Sequence, residues 1–393
     1  MVPYCSDEQG SDSSLFQPAA ADWDEFRRQM PVASRLAYLD HAAVAPLSGP
    51  AWQAVNSWSE DATTNGACDY RRWMDQIEAL RTLLAGMIGA QREEIAFVGN
   101  TTAGVNIVAE GFPWHPGDNV VIRADEFPTN QYPWLNLAQR GVETRRVVCR
   151  PEQSELDQLA AACDSKTRII SVSWVTYTDG WRHDVAKLAE LAHQRGALLF
   201  LDAIQGLGAF PIDVAASGVD FLAADGHKWL LGPEGAGVFY IRREHLDRLR
   251  PIGVGWNSVV HEHDFNRIEL VLKPSAVRYE GGSPNTIGLT ALAASCRLLS
   301  RFGQPAIGQR IEELTEFACQ RLRSIGAVVR SDRSPQHRSG IVLFDLPGRD
   351  PQALRTRCRQ QGVVLSCRGG GLRISPHAYN NQEDIQRLIE ALS

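Results

Sequence analysis

The sequence predicts an α/β protein, with a large unit built on a mostly parallel sheet covered by helices and a smaller α+β unit after it. Three observations carry this expectation. From about residue 75, short apolar, β-branched runs alternate with amphipathic stretches, the pattern of strands buried on both faces and joined through helices. The runs are too short for helices and come in strand–helix–strand order, which favours parallel pairing. Near Gly288 the character changes to two long helix-like runs followed by sparser strands.

Taken in order, strands are expected at 94–98, 119–124, 144–149, 167–175, 197–202, 220–223 and 237–241. Helices are expected between several of them, as at 154–163 and 184–195, where apolar residues recur at helical spacing. Beyond Gly288, helices are expected at 288–299 and 311–325, strands around 341–344 and 363–365, and a closing helix at 382–392. Residues 1–20, polar and rich in Ser and Asp, read as a disordered tail. The expected division is 21–287 for the large domain and 288–393 for the small one. No internal repeat is found.

Composition narrows the function classes. At 393 residues, 44% hydrophobic and 22% charged, the chain has the make-up of a soluble globular protein of two or three domain-sized units. A net charge of −6 gives no reason to expect nucleic acid or an anionic membrane as partner. No apolar run approaches the roughly 20 residues that span a bilayer. The eight cysteines form no C-x-x-C pair, and with no export signal at the N-terminus they are expected to be reduced, in a cytoplasmic protein. Lysine occurs only at 166, 187, 228 and 273, among 40 basic residues. Arginine cannot form an imine, so these four lysines are the candidates for amine chemistry.

Ligands of open α/β sheets sit beyond the carboxyl ends of the strands, and three strand ends draw notice. The first runs into Gly99-Asn100-Thr101-Thr102-Ala103-Gly104 and then a helical pattern, which is either a phosphate seat or a helix capped by Thr. The strand Ala197-Leu198-Leu199-Phe200-Leu201 ends in Asp202, a turn carboxylate or one facing a cation. The third leads into Asp225-Gly226-His227-Lys228-Trp229-Leu230. A lysine set beside an apolar run is desolvated and becomes nucleophilic. Phosphate seat, acid and amine together meet what pyridoxal phosphate (PLP) requires.

These motifs resemble the class V aminotransferases, in the branch of cysteine desulfurases, selenocysteine lyases and related C–S lyases. The resemblance runs from about Leu39 to the end. It rests on Leu39-Asp40-His41-Ala42-Ala43, Asn100-Thr101-Thr102, Asp202-Ala203-Ile204-Gln205, Asp225-Gly226-His227-Lys228, Glu280-Gly281-Gly282-Ser283-Pro284-Asn285-Thr286 and Leu372-Arg373-Ile374-Ser375-Pro376-His377-Ala378-Tyr379-Asn380. It implies the PLP-dependent transferase fold of type I and a homodimer with shared active sites. It implies that Lys228 holds the cofactor as an aldimine and later moves protons at the substrate Cα, and that Asp202 pairs with the ring nitrogen. Gln205 would bond the ring hydroxyl, and Thr101, Thr102 and His227 the phosphate, with Ser283 or Thr286 completing the phosphate cup of the partner. Arg373 would clamp the carboxylate of a small amino acid, with His41 also at the substrate.

Departures from the family pattern are equally specific. Phe127 stands where desulfurases stack a histidine on the ring. Asp225 replaces a hydroxyl near the phosphate. Trp174 replaces a substrate asparagine and either reshapes the pocket or is a core aromatic. Only five residues separate Cys367 from Arg373, so the loop that presents a reactive cysteine looks deleted. Arg368 could still lower the pKa of Cys367, but a spectator thiol is the favoured reading. His261-Glu262-His263-Asp264 reads as a solvated loop rather than a metal site. The expected activity is a cysteine desulfurase-like β-elimination at a C–S bond. An aminotransferase, an amino-acid epimerase and a non-catalytic binding protein of this fold stand as alternatives.

Overall fold

The computed structural model describes residues 21–150 and 152–393; the expected tail at 1–20 lies outside them. The chain enters through α1 (Trp23–Arg28), the short strand β1 (Ala37–Tyr38) and two long helices, α2 (Gly49–Thr64) and α3 (Tyr70–Ile88). The alternation then begins: β2 (Ile95–Val98), α4 (Thr101–Gly111), β3 (Asn119–Arg123), α5 (Tyr132–Leu135), β4 (Glu143–Val147), α6 (Glu155–Ala162), β5 (Thr167–Ser173) and α7 (Val185–Gln194). Three more strands follow, β6 (Leu198–Asp202), β7 (Phe221–Asp225) and β8 (Gly237–Ile241).

These seven strands form one sheet in the order β2-β8-β7-β6-β5-β3-β4. Pairing is parallel except that β8 runs against both of its neighbours. The apolar strands β6 and β7 lie at its centre and are buried almost throughout, as strands covered on both faces must be. The edge strand β4 is the polar one, Glu-Thr-Arg-Arg-Val; its charges protect an open row of backbone groups from foreign strands. Hydrophobic clusters fill both faces. One is built around Leu80, Leu84, Leu199 and Leu292, the other around Val105, Ile122, Phe200 and Phe239.

After the sheet come α8 (Thr286–Phe302), α9 (Gln304–Ser324), β9 (Val328–Val329), β10 (Val342–Asp345), α10 (Pro351–Gln360), β11 (Val363–Val364), β12 (Ser366–Arg368), β13 (Gly371–Ile374) and α11 (Gln382–Leu392). A four-stranded sheet, β12-β13-β10-β9, and its helices enclose a third core. Packing does not follow the expected cut at 287/288. Helix α8 packs against α2 and α3, with Ser48 and Ser295 hydroxyls 3.3 Å apart. Conversely, β1 pairs in parallel with β11, and Ala37 and Leu39 are buried in the third core. The apolar run Ala37-Tyr38-Leu39 needs a covering face, and residues of the C-terminal unit, from Ala318 onward, supply it.

Candidate active site

Three strand ends and one hairpin meet in a cleft of about 280 Å³. Strand β6 delivers Asp202, which is 2% exposed. Its Oδ1 accepts the Ile204 amide at 3.1 Å, the one protein donor that reaches it among the described residues. Burial pushes this carboxyl well up from its usual range, helped by the nearby charge of Glu126. Strand β7 delivers the turn Asp225-Gly226-His227-Lys228. Gly226 is required there, because a Cβ would sit 2.6 Å from the Ala236 carbonyl oxygen. The Lys228 amine is buried and makes no hydrogen bond among the described residues; burial pulls it down from the ordinary 10.5, against the attraction of Asp202. Leu231, whose amide closes the turn onto the Lys228 carbonyl at 3.0 Å, has φ of 57°. It is the one non-glycine residue with positive φ among the described residues, and such strain gathers where a functional turn is over-determined.

Helix α4 points its first turn into the same cleft. Its cap is Asn100, whose Oδ1 accepts the Ala103 amide at 2.9 Å, rather than the threonine considered from sequence. Both threonines are thereby released. Thr101 accepts the Asp225 amide at 3.0 Å, and Thr102 bonds the Thr129 hydroxyl at 2.9 Å. Gly104 lets the helix press on β7, since a Cβ would lie 2.5 Å from that of Ala223. The free amides of a first helical turn and the positive end of its dipole favour an anion. His227 also borders this corner. Its Nδ1 lies 2.9 Å from Asp225 Oδ2 but out of line for a hydrogen bond, so the nitrogen is left buried and unpartnered.

The far wall comes from the C-terminal sheet. Arg373 on β13 is 1% exposed and bonds Asp40 Oδ1 at 3.2 Å, Ser366 Oγ at 3.2 Å and the Tyr177 carbonyl at 2.5 Å. A guanidinium has five N–H groups, so two remain free. Strands β12 and β13 are joined by Gly369 and Gly370, both at positive φ, a two-residue hairpin turn. Side chains alternate along β12: Ser366 and Arg368 border the Arg373 side, and Cys367 turns away to the Pro351 carbonyl at 3.4 Å. Burial raises the Cys367 thiol, outweighing Arg355 and Arg368. Arg368 does pull the thiol down, but by less than burial raises it.

Other expected site residues fall in two groups. Phe127 lines the cleft, half-exposed, edge-on to Tyr177 at 5.1 Å and 5.8 Å from Lys228 Nζ. Gln205 lines it too, with its amide fixed between the Ala42 carbonyl and Trp229 Nε1, each at 3.0 Å. Trp174 and His41 do not. Trp174 is a core residue lying over Gly206, where a Cβ would come within 2.2 Å of its ring. His41 is fully buried, bonded to the Ser375 carbonyl at 2.8 Å and the Tyr379 hydroxyl at 2.9 Å. Burial keeps it neutral, a tie between the N-terminal segment and the C-terminal unit. Ser283 lies outside the cleft, on a separate cavity of about 530 Å³ with Gly99, Asn106 and Glu280. Thr286 opens α8 nearby and bonds the Pro284 carbonyl at 3.3 Å. Sequence reasoning gave no role to Asp40, Tyr177 or Glu126, although Asp40 and Glu126 stood in or beside motifs it quoted, and it set Arg368 only against Cys367 and not at the cleft.

A larger cavity of about 690 Å³ opens among Arg123, Glu155, His183 and Trp181. Its lysine, Lys187, is exposed and paired with Asp184 at 3.0 Å, and Arg123 is held by Asp125 and Glu155. Its lysine and Arg123 are thus ion-paired, whereas the amine of the smaller cleft is not; Arg150, Asp179 and Asp332 line the larger cavity without an ion pair among the described residues. The smaller cleft joins an unpaired buried amine, an acid open to a cation, an anion seat at a helix start and a guanidinium with two spare donors. That set fits PLP: amine for the aldehyde, Asp202 for the ring nitrogen, and α4 with His227 for the phosphate.

Comparison with known proteins agrees. The family model for class V aminotransferases matches residues 37–388. A probable cysteine desulfurase of Methanothermobacter thermautotrophicus is 32% identical over 392 residues, covering 94% of this chain and 97% of the relative. The apo cysteine desulfurase of Thermococcus onnurineus superimposes with a TM-score of 0.85 at 25% identity, over 93% of this chain and 96% of the other. The cystine C–S lyase C-DES, solved with its product cysteine persulfide, gives a TM-score of 0.87 at 23% identity, over 93% and 99%. A mutant of C-DES carries glycine linked covalently to its PLP. With that span of match and that fold, the chain belongs to the class V aminotransferase family of PLP-dependent enzymes.

Proposed function

We propose that the Lys228 cleft breaks the C–S bond of a small sulfur amino acid by β-elimination, without an enzyme thiol. The observation that carries this reading is the β12–β13 hairpin. A tight Gly369-Gly370 turn closes it, and its only cysteine points away from Arg373. Sulfur leaving the substrate therefore has no cysteine of this hairpin to receive it. Relatives named cysteine desulfurase and cystine C–S lyase support the substrate class. With cysteine, the balance is cysteine plus water to pyruvate, ammonia and sulfide.

PLP, when bound, supplies an aldehyde for the amine and an electron sink for charge at Cα. The residues do the rest. Lys228 holds the cofactor, then as a free amine takes the proton from the substrate Cα, which its lowered basicity favours near neutral pH. Asp202 keeps a proton on the ring nitrogen. The two spare N–H groups of Arg373 hold the substrate carboxylate, and Asp40 fixes the guanidinium plane. Phe127, which lines the cleft beside Lys228, would cover the ring without exchanging protons, so acid–base work would fall to Lys228. Gln205 orients the ring hydroxyl. Thr101, Thr102 and His227 hold the phosphate, with Asp225 bracing the turn beneath them.

Ser283 and Thr286 would complete the phosphate site of a second copy, making a homodimer with shared sites; their position outside their own cleft supports this. The seven described cysteines, all free, support a cytoplasmic setting. The test is product analysis with PLP-loaded protein and a panel of amino acids. Pyruvate with sulfide from cysteine or cystine is the expected result. A keto acid with pyridoxamine phosphate identifies an aminotransferase instead, and racemised substrate an epimerase.

A further inference from the structure

Glu126 precedes Phe127 and has had no role so far. Its carboxyl is buried, 5% exposed. Oε1 accepts the Ser173 amide at 2.8 Å, and Oε2 accepts the Ser173 hydroxyl. Ser173 ends β5 and is the cross-strand partner of Asp202, about one strand spacing of 5 Å away. The next amide, Trp174 N, donates to the Asp202 carbonyl at 2.8 Å. Asn130 approaches from another side. Its Oδ1 takes hydrogen bonds from Trp134 Nε1 at 3.0 Å and Ser171 Oγ at 2.5 Å, which turns its amide nitrogen, otherwise unpartnered, toward Glu126.

The bonded neighbours of Glu126 are thus neutral donors. The charged or titratable groups facing it are Asp202, the Cys149 thiol and, beyond, His183, whose Nε2 is tied to Glu155 at 2.8 Å. Asp202 faces Glu126 and Lys228. Two buried carboxylates with no cation bonded to either are costly. A cation arriving at Asp202 relieves both at once, and the protonated ring of PLP is such a cation. We propose that Glu126 is a positioning residue for the cofactor ring, a second buried carboxylate behind Asp202 that keeps the proton on the ring nitrogen. The inference rests on Asp202 as the partner of that nitrogen. A purely structural Glu126 would only brace the ends of β5 and β6.

The two roles separate in holoenzyme loaded with PLP labelled with ¹⁵N in the ring. Wild type, Glu126→Gln and Asp202→Asn are compared by ¹⁵N NMR and by pH titration of the cofactor absorbance. The glutamine keeps the shape and can still accept the Ser173 amide, but not the charge. In Glu126→Gln the ratio of protonated to unprotonated ring is expected to fall about tenfold, one pKa unit, with a larger fall in Asp202→Asn. Ser173→Ala, which removes one donor and disfavours the Glu126 anion, should shift the ratio the same way by less; it carries the measurement if Glu126→Gln does not fold. A ring signal that moves in Asp202→Asn but stays at the wild-type value in both other variants overturns the role of Glu126 alone. A signal unmoved in Asp202→Asn overturns the reading of Asp202 as well.

Discussion

Two guanidinium groups among the described residues, those of Arg81 and Arg373, are almost wholly buried, one under the sheet edge and one in the wall of the cleft. Arg81 is 2% exposed and Arg373 is 1% exposed, so burial does not tell them apart. Their hydrogen bonds do. Arg81 on α3 takes Glu78 as a fork (3.0 and 2.9 Å), Glu280 as a second fork (2.5 and 3.2 Å), and the Ile95 carbonyl at 2.9 Å. All five N–H groups are used and two carboxylates answer one cation. Arg373 meets one carboxylate and keeps two N–H groups for the cleft. A buried charge saturated by its own chain builds structure, and one left short of partners is held ready for a ligand. The same contrast separates the lysines of the two cavities, since Lys187 is paired with Asp184 and Lys228 has no ion pair among the described residues.

The largest effect expected in this comparison is at the amine. Lys228→Ala should abolish the borohydride-fixable cofactor bond and lower turnover by about 10³-fold or more, with the unfolding midpoint of the apo-protein unchanged or raised. Retained covalent cofactor and normal turnover would sink the site. Next, Arg373→Gln should lower kcat/KM by about 10²-fold, the weight of a lost charge-assisted clamp of about 2–3 kcal/mol, chiefly through KM. An unchanged KM would place the carboxylate elsewhere. Arg81→Gln should do the reverse and lose about 3–5 kcal/mol of stability in denaturant titration, the cost of stranding buried carboxylates, with KM within twofold of wild type in whatever folds. If both arginine variants lose the same property, the distinction by spare donors fails.

A pH series sharpens the amine further. Cofactor uptake needs the Lys228 amine unprotonated, and burial lowers its proton affinity from the ordinary 10.5. Uptake by the apo-protein should therefore rise with pH through a midpoint below 10.5. In Asp202→Asn, which removes an attraction for the ammonium, the midpoint should fall further. Stopped-flow absorbance measures both, and a midpoint at the ordinary lysine value contradicts the burial. The smallest effect belongs to Cys367→Ser, whose sulfide release should match wild type within twofold. A large loss would restore a thiol relay.

Much of the molecule was legible in its residues. The residue pattern marked all seven strands of the large sheet to within a few positions, most of them because a strand covered on both faces must be apolar along its length, although the edge strand β4 is polar. Strand ends then pointed to Asp202 and Lys228, since the chain itself carries those groups to one edge of the sheet. Legibility stopped where a role depends on a distant partner. His41 stood in a family motif and yet faces the core, and Trp174, for which pocket and core were both open, is a core residue. The path of residues 37–40 into the C-terminal unit left no local trace.

From residues alone, the family and the cofactor were determined and Lys228 was singled out as the candidate amine, because ordered motifs and an apolar sequence neighbourhood are properties of contiguous chain. Tertiary structure decided which arginine has donors to spare, which way Cys367 faces, and that Glu126 stands behind Asp202. Each of these is a matter of which groups from separate segments share a space closed to water, where one missing or added partner changes what a charge can do.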